Sequence, residues 1–241
     1  MPKPDERVDL FEVMYSCRAM RRLKPDPVPE DVLEKLIDAA VQCPSGSNAQ
    51  NWTFVIVRDR AKLREIQKLW RSAWGFYAET INAAPRPGEE PAAKQKQDKA
   101  SQYMIDHLHE VPAMIFVGVK RDPVVAEALK SPRTVTAAFR HLGLGGTVRL
   151  LTGGSRATLQ GADGAAYPAV QNILLSARAL GLGAVLTTPH LFHPGEYEKL
   201  LGIPGDVTLC AAIPVGYPIG RFGPVRRPRA ADVISWDSYR S

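Results

Sequence analysis

Cysteine is scarce in this 241-residue chain: Cys17, Cys43 and Cys210 are the only three, and no two stand in Cys-x-x-Cys spacing. A zinc ribbon, a redox dithiol and a disulfide framework are thereby excluded, and unpaired thiols in a reducing compartment are expected. Long apolar runs are missing too. Ala113 to Val119 and Ala184 to Leu186 fall far short of the roughly 20 residues that cross a bilayer. The opening Met1-Pro2-Lys3-Pro4-Asp5-Glu6-Arg7 carries charges of both signs and no apolar h-region, so no secretory signal is read, a cytoplasmic location is expected, and no membrane partner. Common catalytic motifs are also absent. Gly143-Leu144-Gly145-Gly146 and Gly181-Leu182-Gly183 each lack the third glycine of a dinucleotide fingerprint, and there is no Walker loop, nucleophile elbow or H-E-x-x-H helix. His107 and His109 are two apart on a helical pattern and diverge, while His190 and His193 have no third ligand nearby, so no metal site is expected.

What is present is a globular composition with a basic balance. The net charge is +6, and most of the excess lies between Val111 and Leu159, where seven basic residues face two acidic ones. That segment has neither interleaved aromatics for base stacking nor a basic recognition helix, so nucleic acid is not an expected partner.

The hydrophobic pattern predicts a helix from about Asp5 to Tyr15. A second should begin near Pro29-Glu30-Asp31, with Val32, Leu33, Leu36, Ile37 and Ala40 at helical spacing, and end before Pro44. Trp52 to Val57, Ala113 to Val119, Ala184 to Thr188 and Val207 to Val215 read as strands, and Glu196 to Leu201 as a short helix. The polar, proline-bearing stretch Asn82 to Lys99 is expected to be an exposed mobile segment, with a lid over residues 70–110. Glycines crowd residues 140–166 and predict a flexible excursion, after which Tyr167-Pro168 should open a long helix through Leu180. No repeat and no linker divides the chain, so residues 1–241 are read as one domain.

The chemistry-bearing residues stand at element ends: Arg18, Arg21 and Arg22 after the first helix, Ser45-Gly46-Ser47-Asn48 after the second, Thr187-Thr188 at a strand end, and Arg226-Arg227 in the tail. Guanidinium forks suit a phosphate, and short hydroxyl and amide groups suit a polar heteroaromatic ring. No nucleophile stands out, so a cofactor is expected to carry the reaction.

Read together and in order, these segments resemble the FMN-dependent nitroreductase family. Cys17-Arg18-Ala19-Met20-Arg21-Arg22-Leu23-Lys24-Pro25 resembles its R-R-S-x-R-x-F motif, and Pro44-Ser45-Gly46-Ser47-Asn48-Ala49-Gln50-Asn51-Trp52 its P-S-G-x-N-x-Q-P-W segment. Pro168 to Pro189 is similar to the helix and strand that face the flavin, and Pro214-Val215-Gly216-Tyr217-Pro218 with Arg226-Arg227-Pro228 to the terminal motif and basic pair. Cys17 stands where arginine is common, Ala19 for serine, Leu23 for phenylalanine and Asn51 for proline.

The resemblance implies an α+β fold, a mainly antiparallel sheet surrounded by helices, in an interlocked homodimer whose C-terminal tails, residues 220–241, are exchanged. It implies FMN at the dimer interface, held by Arg18, Ala19, Met20, Arg21, Ser45, Gly46, Ser47, Asn48, Gln171, Leu186, Thr187, Thr188, Arg226 and Arg227, with Thr188 as the partner of flavin N5. NADPH or NADH would donate hydride, and a nitroaromatic, quinone or similar small electron-poor acceptor would receive the electrons in a ping-pong scheme, with no side chain acting as an essential acid or base. A flavin-sequestering protein and a reductive dehalogenase of the same framework are the alternatives it leaves.

Overall fold

The computed structural model describes residues 8–121, 127 and 131–239, and the side chains at 153–163 and 165 are outside that description. The expected helix start at Asp5 lies outside the described residues; from Asp9 onward, α1 (Leu10–Ser16) begins where the Asp9 carboxylate accepts the Glu12 N–H at 2.9 Å.

The sheet has four strands, β1 (Trp52–Val57), β2 (Ala113–Lys120), β3 (Gly183–Ala184) and β4 (Val207–Gly216), in the order β1-β2-β4-β3 with every pairing antiparallel. β2 is central and buried on both faces, which is why it reads as an unbroken apolar run. Its alternate residues divide the core. Ala113, Ile115, Val117 and Val119 face α2 (Glu30–Ala40) and the C-terminal part of α5 (Pro132–Ala179), joining Leu33, Leu36, Ile173 and Ala177. Met114 and Phe116 face the other way, toward Leu63, Ile66 and Trp70 of α3 (Arg60–Glu79), Met104 and Ile105 of α4 (Pro91–Asp106) and Tyr197 of α6 (Pro194–Leu201). The result is a sheet with helices on both faces, the α+β architecture expected.

Three local expectations are corrected. The supposed flexible excursion at 140–166 is helical, part of α5, with the break confined to Gly143 at φ 67°. Each interior glycine weakens a helix by up to about 1 kcal/mol relative to alanine, but Ala166, Ala169, Val170, Ile173 and Ala177 recur at helical spacing and bury fully. Packing overrides propensity, and Pro168 sits inside the helix rather than opening it. The stretch 82–99 is mobile-looking only as far as the loop before α4: Pro91 occupies the first turn of that helix, where its missing N–H costs nothing. The lid region is accordingly two packed helices, with Trp70, Met104 and Ile105 in the core. The third strand is only Gly183–Ala184, followed after Val185-Leu186 by a single bridge from Thr187 to Ala212.

Candidate active site

The N-terminal basic segment is fastened across the short strand. The Met20 N–H donates to the Ala184 carbonyl at 3.1 Å, the Lys24 N–H to the Tyr217 carbonyl at 2.8 Å, and Leu23 pairs with Pro218. This close approach needs Gly183: a Cβ there would stand 2.8 Å from Leu23 Cδ2 and 2.9 Å from Met20 Cβ. Arg21 is thereby aimed into a cavity of about 540 Å³.

That cavity collects Arg21, Leu186, Thr187 and Thr188 on one side, and Trp74, Tyr77, Ser101 and Ile105 of α3 and α4 on the other. Arg21 forms no ion pair among the described residues, and burial pushes its guanidinium below its ordinary value. An anionic or electron-rich ligand would relieve that cost. The two threonines differ. Thr187 spends its hydroxyl on the Ala212 carbonyl and its N–H and carbonyl on the same residue. Thr188 makes no side-chain hydrogen bond among the described residues, while its carbonyl accepts the Leu191 N–H at 3.2 Å.

The turn after Thr188 rests on a buried polar cluster that sequence reasoning missed. His190 is 2% exposed, Trp70 1% and Tyr197 0%. His190 Nε2 lies 3.1 Å from the Leu209 carbonyl, so Nε2 carries the proton and Nδ1 is an acceptor. Burial pulls this imidazole below its usual value against that hydrogen bond, and it pushes the Tyr197 phenol up, opposed by the Trp70 indole beside it. Trp70 Nε1, Tyr197 Oη and His190 Nδ1 each lack a hydrogen-bond partner among the described residues. No spacing in the sequence announces this cluster, because its members come from α3, α6 and the Pro189–Phe192 turn.

A second group of expected residues forms a cationic corner outside the cavity. Arg18 approaches Gly223, and Cys17, whose Sγ lies 3.6 Å from the Leu174 carbonyl, feels both Arg178 and Arg227. Burial nevertheless holds the Cys17 thiol above its ordinary value, unsuited to a nucleophile. Arg178 was not singled out in the sequence. Its Nε donates to Ser16 Oγ at 2.9 Å, its guanidinium stacks 4.3 Å from the Phe222 ring, and only its place in the last turn of α5 hinted at it.

Ser45, Gly46, Ser47, Asn48, Gln171 and Arg226 do not line the cavity with Thr188. Gln171 is exposed on α5, Ala19 is exposed and Met20 is packed in the core. The 45–50 segment is strained: Ser47, Asn48 and Gln50 all have φ near +50°. The Gln50 N–H donates to Ser45 Oγ at 3.1 Å and its side-chain amide to Asn48 Oδ1 at 2.9 Å, locking the turn.

The chain is 30% identical over 220 residues to an NADH dehydrogenase of Thermus thermophilus, spanning 91% of each protein. It is 28% identical to iodotyrosine deiodinase 1 of Rattus norvegicus over 87% of this chain and 62% of that one. A crystal structure of oxidised iodotyrosine deiodinase bound to FMN and 3-iodo-L-tyrosine shares the fold at a TM-score of 0.66 and 22% identity, covering 96% of this chain and all of that one. A nitroreductase with bound FMN from Desulfitobacterium hafniense shares it at 0.60 and 16%, over 97% of this chain and all of that one. Residues 15–217 match the nitroreductase family as a whole, and the chain belongs to it.

Proposed function

We propose that this protein is an FMN-dependent NAD(P)H oxidoreductase that reduces nitroaromatic, quinone or similar electron-poor acceptors. The observation that carries the reading is the cavity itself, which brings the unpaired Arg21 guanidinium and the uncommitted Thr188 hydroxyl together under an aromatic wall. FMN bound there would supply the two-electron chemistry, accepting hydride from the nicotinamide and passing electrons to the acceptor. The residues fit such a group. Arg21 neutralises negative charge in a site too buried to leave it unpaired, and Thr188 supplies a hydrogen-bonding hydroxyl beside the ring. Trp74 and Tyr77, stacked at 5.8 Å, offer a planar acceptor a flat face.

The site is completed by a second copy of the chain. Phe11 and Tyr15 of α1, Phe139, Leu142 and Leu151 of α5, and Trp236 of the tail are each 59–71% exposed on the single protomer. An apolar surface of that extent is an interface. A homodimer would cover it and bring a partner's strained 45–50 turn and tail arginines toward the site.

A reductive dehalogenase is the second reading, favoured by the identity to the rat deiodinase. Beside the cavity, Lys94 pairs with Asp98 at 2.5 Å. Hydrogen bonds from Lys94 and Asn82 hold that carboxylate below its ordinary value despite burial.

The experiment is an anaerobic reduction trace. Purified protein should be yellow, release one FMN per subunit on denaturation, and bleach on adding NADH or NADPH before a nitroaromatic restores the colour. Bound FMN that neither nicotinamide reduces would favour flavin sequestration, iodide release from 3-iodotyrosine the dehalogenase, and protein without flavin would defeat all three.

A further inference from the structure

Behind the helical wall of the cavity lies a second concavity, of about 480 Å³, lined by Arg22, Ala92, Gln95, Lys96, Lys99, Ala100 and Tyr103. Three of these seven residues are cationic and none is acidic. Among the described residues, Arg22, Lys96 and Lys99 enter no ion pair. Lys94 on the same helix behaves differently, being only 13% exposed and spent on Asp98. The pocket is also built rather than incidental. The Arg22 guanidinium is held 4.8 Å from the centre of the Tyr103 ring, which itself stacks on His107 at 4.0 Å, so Arg22 is held in place without losing its charge.

The position of this pocket says what it is for. Arg22 follows Arg21, which points into the main cavity, and α4 is a shared wall: Gln97, Ser101 and Ile105 face the main cavity, whereas Lys96, Lys99 and Tyr103 face the cationic one. A helix with its side chains is about 10–12 Å thick. An extended molecule that places one ring in the main cavity and curls over α4 therefore sets its far end among three free cations. A nicotinamide dinucleotide has that shape, and only its phosphorylated form carries a phosphate monoester at the far end.

We propose that Arg22, Lys96 and Lys99 form an anion subsite that takes the adenosine 2′-phosphate of NADPH, making NADPH the preferred donor. The inference rests on the oxidoreductase reading for the donor, but the subsite can be tested apart from the reaction.

The decisive measurement is calorimetric binding of 2′,5′-ADP and of 5′-AMP to the flavin-loaded dimer. These fragments lack nicotinamide and differ by the single phosphate at issue. The 2′,5′-ADP should bind roughly tenfold more tightly, a difference lost in Lys96→Glu/Lys99→Glu and weakened by added salt, as expected of exposed charge. In the kinetic arm, the same double variant should lose roughly tenfold in kcat/KM for NADPH through KM, with kcat, NADH turnover and FMN content unchanged. Inorganic phosphate should compete with NADPH and leave NADH turnover alone. Equal binding of the two fragments, or an equal loss for NADH and NADPH, overturns the subsite. A protein that binds no flavin overturns the oxidoreductase reading instead, and the fragment comparison still decides the subsite.

Discussion

At the residue scale, the site divides into side chains the sequence announces and side chains it hides. Arg21 and Thr188 were legible because each stands at a motif next to an element end, where a side chain is free to face a ligand. Arg21→Ala should remove a charge-assisted contact of about 1.5–3 kcal/mol and weaken FMN binding by roughly tenfold to a hundredfold. A fluorescence titration of apoprotein with FMN checks this, and unchanged affinity would place the flavin elsewhere. Trp70, Tyr197 and His190 were not legible, because a lone histidine and two aromatics far apart in sequence look like ordinary core. Their polar atoms are nonetheless buried together, with His190 Nε2 on the Leu209 carbonyl. Since the folded-state value of His190 lies below its ordinary one, the unfolded chain binds the proton first as pH falls. Stability is therefore full above about 6.5, the unperturbed histidine value, and falls as pH drops below it, by up to about 1.4 kcal/mol per unit. His190→Gln keeps an amide N–H for the Leu209 carbonyl and carries no titrating group. Urea melts at pH 7.5 and 5.5 should show a smaller loss in that variant, and equal losses would mean another group governs the acid side. Tyr197→Phe preserves the packing and removes a buried hydroxyl that has no hydrogen-bond partner among the described residues, so it should be neutral or slightly stabilising in urea melts at neutral pH.

The elements themselves were mostly visible where hydrophobic period and burial coincide. β2 reads as an apolar run because it is buried on both faces, and α2 shows its core stripe directly. Failures came where a local breaker was outvoted by packing. The glycines of 140–166 and Pro168 argued against a helix, yet α5 persists, because its C-terminal residues bury against the sheet and Gly143 absorbs the one break. The role of Gly183 was equally hidden: its pressure comes from Leu23 and Met20, about 160 residues away in sequence, and not from its own backbone angles. Gly183→Ala should force Met20 and Leu23 off β3, destabilise by about 1–3 kcal/mol, and move Arg21 with them. Thermal melts and FMN affinity should therefore fall together in this variant, although residue 183 does not line the cavity. A loss of stability with normal flavin binding would show that the N-terminal segment places Arg21 by some other contact.

For the whole molecule, the question is why an ordered tail leaves its own body. Up to Val225 the chain is fastened, with the Ile219 N–H on the Arg22 carbonyl at 3.0 Å and the Val225 N–H on the Tyr15 carbonyl at 3.0 Å. Beyond it, Val233, Ile234 and Trp236 are 68%, 44% and 71% exposed. Apolar side chains of that size are each worth about 1.5–3 kcal/mol when buried, so a surface that receives them is strongly selected over water. The protomer offers such a surface to a second copy along α1 and the first half of α5. We propose that the tail is exchanged with that second copy; the exchange would tie assembly to cofactor binding, since Arg226 and Arg227 lie on the same segment. Truncation after Pro224 should therefore yield monomer and apoprotein together, by light scattering and by flavin absorbance. The substitutions Ile234→Ser and Trp236→Ser, which spare both arginines, separate the two effects. They should shift the protein toward monomer in dilution series, with flavin lost in proportion to the dimer. A truncated protein that remains dimeric and yellow would mean that the tail folds back on its own protomer.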